Sequence, residues 1–276
     1  MIYLERLLFV GPGKAVESVL TLKTDHHIQP LPFKTTVYSP TVNLLDIYQQ
    51  FGINIENFKL ILDHRVPNYD KVKHLDPWLR QQFIKLLAID STDTAYNIIQ
   101  DADMMLTAPY RPFNIGYPNP FILENQTPEP EYSELAELFT GIPRQTAHSF
   151  VNDLMPLMKG DWLFMRKQIE ERSQRPWLDT LLDEVNRRVE QKGYANFSEY
   201  EMIGNWLAKN YKLMPTTVQI GEQITNEIAR AIKKQELDIA PWQNNLHNVI
   251  PIKIYDEDAR LDFEDIEYIL DSFRLT

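Results

Sequence analysis

The sequence predicts an α/β fold: a mostly parallel sheet flanked by helices, with a helical carboxyl-terminal half. Three observations carry this. Short apolar runs alternate with helical periodicity through the first hundred residues, the pattern of a parallel sheet covered on both faces. Beyond a proline-dense stretch, helical spacing takes over. An aspartate pair, Asp101 and Asp103, falls at the end of one apolar run, where the ligand crevice of such a sheet opens.

The elements follow in chain order. Arg6 to Val10 reads as a buried strand, Gly11-Pro12-Gly13 as a turn, and Ala15 to Leu22 as a helix with Val16, Val19 and Leu20 on one face. Phe33 to Tyr38 is the next strand. A helix opens near Asn43 and ends at Gly52, a residue suited to the left-handed conformation that stops helices. Phe58 to Asp63 is a third strand, and a turn at Val66-Pro67-Asn68 leads to a helix from about Trp78 to Ile89. Ala95 to Ile99 is a fourth, ending at the aspartate pair.

From Pro109 to Pro143 seven prolines interrupt regular structure, so this stretch is expected to be a seam or a long loop. After it, Asp161 can cap a helix through Arg172, Trp177 to Val189 shows helical spacing, and Ser198 opens another helix. Further helices are expected from about Pro215 to Gln235 and from Asp262 to Phe273. This organisation gives an α/β region over residues 1–145 and a mainly helical lid over 146–276, within one continuous domain.

Composition excludes several classes. A hydrophobic fraction of 43% with 24% charged residues belongs to an ordinary globular chain and leaves little room for disorder. No apolar stretch approaches the roughly 20 residues of a bilayer crossing, and the opening residues lack the pattern of a secretory signal. Without cysteine there is no disulfide or thiolate metal site. A reducing, cytoplasmic setting is the expectation. The net charge of −11 opposes non-specific adhesion to nucleic acid or anionic membrane.

The chemistry centres on "YNIIQDADMML". Two carboxylates one residue apart at a strand end can meet one hard, oxygen-preferring cation, Mg²⁺ or Mn²⁺. Such pairs also occur in turns and at helix starts, and here their place at the fourth strand favours metal. In the preceding helix Trp78, Gln82 and Lys85 share one face at i, i+4 and i+7. That face suits a donor sugar or base, with Lys85 or Arg80 on phosphate; a solvated polar face is the other reading. Ser198 and Glu201 form a capping box, so Glu201 has a structural assignment that Glu199 lacks.

The ordered blocks "DPWLRQQFIKLLA", "YNIIQDADMML", "AHSFVNDLMPLMKGDWLFMRKQIE", "RPWLDTLLDEV" and "FSEYEMIGNWL" resemble a family of uncharacterised bacterial and phage proteins regarded as GT-A-like glycosyltransferases. The resemblance runs from about Phe33 to Tyr211. It implies a GT-A-like, Rossmann-like fold, a metal-dependent nucleotide-sugar donor with UDP-sugar favoured, and transfer to an acceptor hydroxyl, by default on a glycan. On this reading Asp101 and Asp103 hold the metal, with His247 as a further ligand, because several GT-A families complete the metal shell with a carboxyl-terminal histidine. His247 also reads as a solvated loop residue. Glu199 or Glu201 is the general base of an inverting reaction, and His148 and Asp153 bind acceptor hydroxyls. The same chemistry on a modified DNA base, a nucleotidyltransferase or phosphohydrolase, and a non-catalytic carbohydrate-binding protein are the alternatives.

Overall fold

The computed structural model describes residues 4–23, 28, 33–56, 58–106, 109–114, 117–123, 127, 129–212, 216–218, 224–225 and 249–253. Its centre is a five-stranded sheet built from β1 (Leu4–Phe9), β2 (Lys34–Ser39), β3 (Phe58–Leu62), β4 (Tyr96–Asp101) and β9 (Leu154–Met158), in the order β3-β2-β1-β4-β9. The first four run parallel, and β9 pairs antiparallel with β4, Gln100 opposite Leu154. The mostly parallel, helix-flanked sheet read from the sequence is therefore present.

Alternation along β1 shows how both faces are filled. Leu7 and Phe9 point to one side, where they join the largest apolar cluster with α4 (Pro77–Ser91), α5 (Pro130–Thr140), α6 (Lys159–Ser173), α7 (Trp177–Lys192) and α8 (Glu199–Tyr211). Leu8 points the other way, against α1 (Ala15–Lys23) and α2 (Leu44–Gln50). A strand buried on both sides must be apolar at successive positions, which is why "LLFV" is legible as one. At the α4 start the Asp76 carboxylate accepts the Leu79 amide at 3.0 Å and Pro77 occupies the first turn. Such caps contribute ~1 kcal/mol.

The second half departs from expectation in three ways. A strand, β9, which the sequence reading does not expect, completes the sheet from beyond residue 145; the largest apolar cluster runs from Leu7 to Ala208. Residues 216–218 and 224–225 are the strands β10 and β11 rather than the start of a helix at Pro215; Thr216, Thr217 and Val218 are β-branched and suit that conformation. Asp161 does not cap α6. The helix begins at Lys159, and Asp161 lies inside its first turn, accepting the Tyr211 hydroxyl at 2.7 Å.

The proline-dense stretch is also more ordered than its composition suggests. It holds the short strands β6 (Phe113–Asn114), β7 (Tyr117–Pro118) and β8 (Phe121–Leu123), and Pro130 opens α5, where a missing amide hydrogen does no harm. β5 (Met104–Leu106) leaves the aspartate pair and pairs antiparallel with β12 (Val249–Lys253). The expected helix at Asp262 to Phe273 lies outside the described residues. Among the described residues no helix is long and apolar enough to cross a membrane.

Candidate functional site

The aspartate pair is held by backbone bonds before any side chain acts. The Ala102 amide donates to the Phe9 carbonyl at 3.1 Å, one step beyond the β1–β4 ladder. The Thr21 hydroxyl, from α1, lies 2.6 Å from the Ala102 carbonyl and 3.0 Å from that of Met104. Ala102 is fully buried between them. The turn is thus clamped from both sides, and its flanking carboxylates are presented at the carboxyl-terminal end of the parallel strands.

A third carboxylate joins them. Asp153 precedes β9 in a left-handed conformation, φ 57°, and its carbonyl accepts the Asp101 amide at 2.8 Å. Asp101, Asp103 and Asp153 each place one oxygen within 4.8 Å of the others. The sequence reading gives Asp153 to an acceptor; its position is in the acidic cluster. The antiparallel β4–β9 pairing brings it there, a contact across about 50 residues of chain that no local pattern announces.

Two lysines answer this charge. Lys14 Nζ lies 2.5 Å from Asp103 Oδ2 and 3.7 Å from Glu17. Lys85 is buried and bridges Asp101 Oδ2 at 2.6 Å and Glu199 Oε1 at 2.8 Å, with its ammonium 4.3 Å from the Tyr200 ring centroid. Burial opposes the charge on each ammonium, but Asp103 at Lys14, and Asp101 with Glu199 at Lys85, outweigh it and hold both pKa values above the ordinary. Burial pushes Asp101 up despite Lys85, and pushes Asp153 well up with help from Asp103 and Asp101. Burial likewise brings Glu199 to about 7 against the pull of Lys85.

The two glutamates of the α8 start differ sharply. Glu201 is buried and fully used: its carboxylate accepts from Ser149 at 3.1 Å, the Phe150 amide at 2.9 Å and Asn205 at 2.9 Å. Ser198 caps the helix by accepting the Glu201 amide at 3.3 Å, while the Glu201 side chain serves the Ser149–Phe150 loop instead of reaching back to close the box. Glu199 is also buried, yet its Oε2 has no hydrogen-bond partner, nor does the Tyr200 hydroxyl.

The face expected on α4 is not one surface. Trp78 is 42% exposed and stacks on Tyr132 at 6.1 Å, Gln82 is buried and donates to the Trp78 carbonyl, and Lys85 is committed to two carboxylates. Burial of most of the helix explains the difference, since α4 runs beneath the helical layer rather than along solvent. Arg80 donates to the Lys73 and Leu75 carbonyls and lines a small recess with Phe9, Gly11, Pro12, Tyr38 and Asp63 at the same end of the sheet. His148 is half-buried, with its carbonyl accepting from Thr146. His247 lies outside the described residues; β12 follows it, with Val249 opposite Leu106 and Pro251 opposite Met104.

Residues 20–261 match a family described as a family of unknown function (DUF6492). The chain belongs to that family. No curated protein matches the chain. Among solved structures it is similar to the galactosyltransferase LgtC in complex with donor and acceptor sugar analogues, at 10% identity and a TM-score of 0.44, over 99% of this chain and 97% of that one. It is also similar to mouse xyloside xylosyltransferase 1 in its apo form, at 8% identity and a TM-score of 0.40, over 91% and 98% of the two chains. Membership of the DUF6492 family carries no activity with it.

Lys14 and the clustering of Asp153 are the features that sequence reading misses. Lys14 has a signal: it follows the Gly11-Pro12-Gly13 turn directly after β1, at the crevice end of the sheet.

Proposed function

We propose that this member of the family is a GT-A-type glycosyltransferase that takes a nucleotide-sugar, with a UDP-sugar favoured, and transfers the sugar to an acceptor hydroxyl on a glycan. The observation that carries this reading is the cluster of Asp101, Asp103 and Asp153 at the carboxyl-terminal end of the parallel strands. Its donors suit Mg²⁺ or Mn²⁺: all are hard oxygens, and Asp101 Oδ1 is buried without a hydrogen-bond partner. A divalent cation there supplies charge neutralisation for the departing diphosphate. Asp101 and Asp103 are its proposed ligands, Asp153 a third, and His247 a further one.

The chain's own residues do the rest. Lys14, at the rim beside Asp103, would offer an ammonium to phosphate, and Arg80 would offer a second positive charge beside the recess at the end of β1 and β2. Lys85 keeps Asp101 and Glu199 in place rather than meeting phosphate. For an inverting transfer we assign proton acceptance to Glu199 and not Glu201, because Glu199 has an open oxygen and a pKa of about 7, suited to taking a proton at neutral pH. For a retaining transfer Glu199 becomes a binding residue. A cytoplasmic setting and a glycan acceptor belong to the same proposal; a modified DNA base fits less well with a net charge of −11.

Calorimetry with UDP and Mn²⁺ tests this. Binding is expected only with both present, and the Asp101→Asn, Asp103→Asn double variant should weaken it at least tenfold. Undiminished, metal-independent binding in that variant would overturn the reading, and release of phosphate or pyrophosphate without sugar transfer would reassign the chemistry. His247→Ala, read by Mn²⁺ affinity alone, tests the further ligand.

A further inference from the structure

Starting at the end of the sheet opposite the acidic cluster, a polar groove of about 740 Å³ runs along the sheet, lined by Glu5 of β1, by β2 from Lys34 to Tyr38, by β3 and by the segment after α4. We propose that this groove is a second binding site, for a neutral oligosaccharide, that holds an extended glycan away from the transfer site. The inference rests on the glycosyltransferase reading for its purpose, but not for the binding itself.

The chemistry of the groove is that of hydroxyl recognition. Glu5 is its hub: Oε1 accepts the Thr36 hydroxyl at 2.6 Å, and Oε2 accepts those of Thr92 at 2.8 Å and Thr94 at 2.6 Å. Each hydroxyl thereby has its proton fixed toward Glu5; Thr92 Oγ1 also accepts the Thr94 amide at 3.1 Å and Thr36 is buried, so the half-buried Thr94 hydroxyl, and the remaining lone pair of Thr92, face a ligand as acceptors. Acceptors with fixed orientation at Thr92 and Thr94, beside the Glu5 carboxylate, suit a ligand rich in hydroxyl donors. Tyr38 also lines the groove, buried and stacked on Phe9 at 4.8 Å.

Charge argues against an anionic occupant. Lys34 and Lys59 stand against Glu5, Glu56 and Asp93 along the groove, with no cluster of cations to meet a phosphate or a polyanion. The size lies within the ~300–1,000 Å³ of small-molecule sites. Position adds a reason for an extended ligand. Tyr38 also lines the recess that contains Arg80, so one residue borders both the groove and the crevice end of the sheet, on the side that α4 covers.

Threonine-methyl NMR on the whole chain tests the proposal, using maltohexaose, cellohexaose and a β-1,4-linked N-acetylglucosamine hexamer as probes. The methyls of Thr36, Thr92 and Thr94 should shift saturably with at least one probe, with or without Mn²⁺ and UDP. Ser91→Trp, which fills the groove from the exposed end of α4, should weaken that binding at least tenfold, as should Lys59→Trp from the exposed sheet edge. Equal melting temperatures establish that both variants fold. No shift with any probe, shifts that persist in both variants, or shifts caused by UDP instead would each overturn the proposal. Glycan binding that survives in Asp101→Asn, Asp103→Asn, with no metal-dependent UDP binding in the unsubstituted chain, would overturn the transferase reading and leave this site standing.

Discussion

At the start of β1, Glu5 accepts three threonine hydroxyls and leaves no charge seeking a partner, whereas at the far end of neighbouring β4, Asp101 shares one oxygen with Lys85 and keeps the other buried and unbonded. Both residues are carboxylates on paired, adjacent strands. The difference lies in what surrounds them: neutral hydroxyls at one end, and two further aspartates, a glutamate and two lysines at the other. A carboxylate satisfied by neutral donors carries no unpaired charge and adds little electrostatic strain. Crowded like charges that depend on lysine counter-ions in a region of low dielectric are costly for stability, and such crowding is a mark of a ligand site.

Removing the counter-ion should break this contrast most visibly. Lys85→Met leaves Asp101 and Glu199 buried without a cation, and breaking such an arrangement costs about 3–5 kcal/mol. A urea or thermal melt of the metal-free protein is the measurement, with a fall in melting temperature on the order of 10 °C. Adding Glu199→Gln to Lys85→Met should recover some of the loss. Glu5→Leu should cost less, because it strands neutral hydroxyls rather than charges: Thr92 and Thr94 are half-buried and can turn to water, and only the Thr36 hydroxyl is left buried. Equal losses in the two single variants would mean that the ends do not differ as argued.

A pH titration sharpens the same contrast. Glu199 rises from 4.5 to about 7 on folding, so the folded state holds a proton that the unfolded chain releases. The stabilisation from that proton is fully present below about 4.5 and is lost as pH rises through about 7. Asp101 and Asp153 are raised as well and act with the same sign. Metal-free stability should therefore decline across this window, and Glu199→Gln should flatten the decline. An unchanged slope in that variant would remove Glu199 from the titrating set.

How much of this is legible in the sequence depends on the range of the interaction. The β-strand and helix alternation to residue 101 is written in apolar spacing, and the Asp76 cap and the Ser198 cap in short motifs. Asp101 and Asp103 stand out because a strand end places them. Lys85 stands out too, but its two carboxylate partners do not: its spacing with Trp78 is a surface pattern, whereas α8 packs over α4 and buries that position. β9 escapes the sequence reading because "LMPLM" contains a proline and precedes a strong helix. At the sheet edge a proline is tolerated, and Pro156 sits opposite Ile98 on that strand. Asp153 could not be paired with the aspartates without that strand.

Asp153 offers the finest test, because it combines a charge with an unusual backbone. Its φ of 57° is left-handed, a conformation that asparagine and aspartate tolerate and alanine does not. The conformation is imposed by position: the Asp153 carbonyl must accept the Asp101 amide just as the β4–β9 ladder begins at Leu154. Asp153→Asn keeps that tolerance and removes the charge, so it should match the parent in metal-free stability, or exceed it as repulsion with Asp101 and Asp103 is relieved. Asp153→Ala removes the charge and adds strain, and should be less stable than the asparagine variant by about 1 kcal/mol. Both should bind Mn²⁺ more weakly by a similar factor, since both lose the same carboxylate. If Asp153→Asn instead keeps full Mn²⁺ affinity while Asp153→Ala loses it, the residue acts through backbone geometry alone, and the cluster at this end of the sheet holds a cation with two carboxylates rather than three.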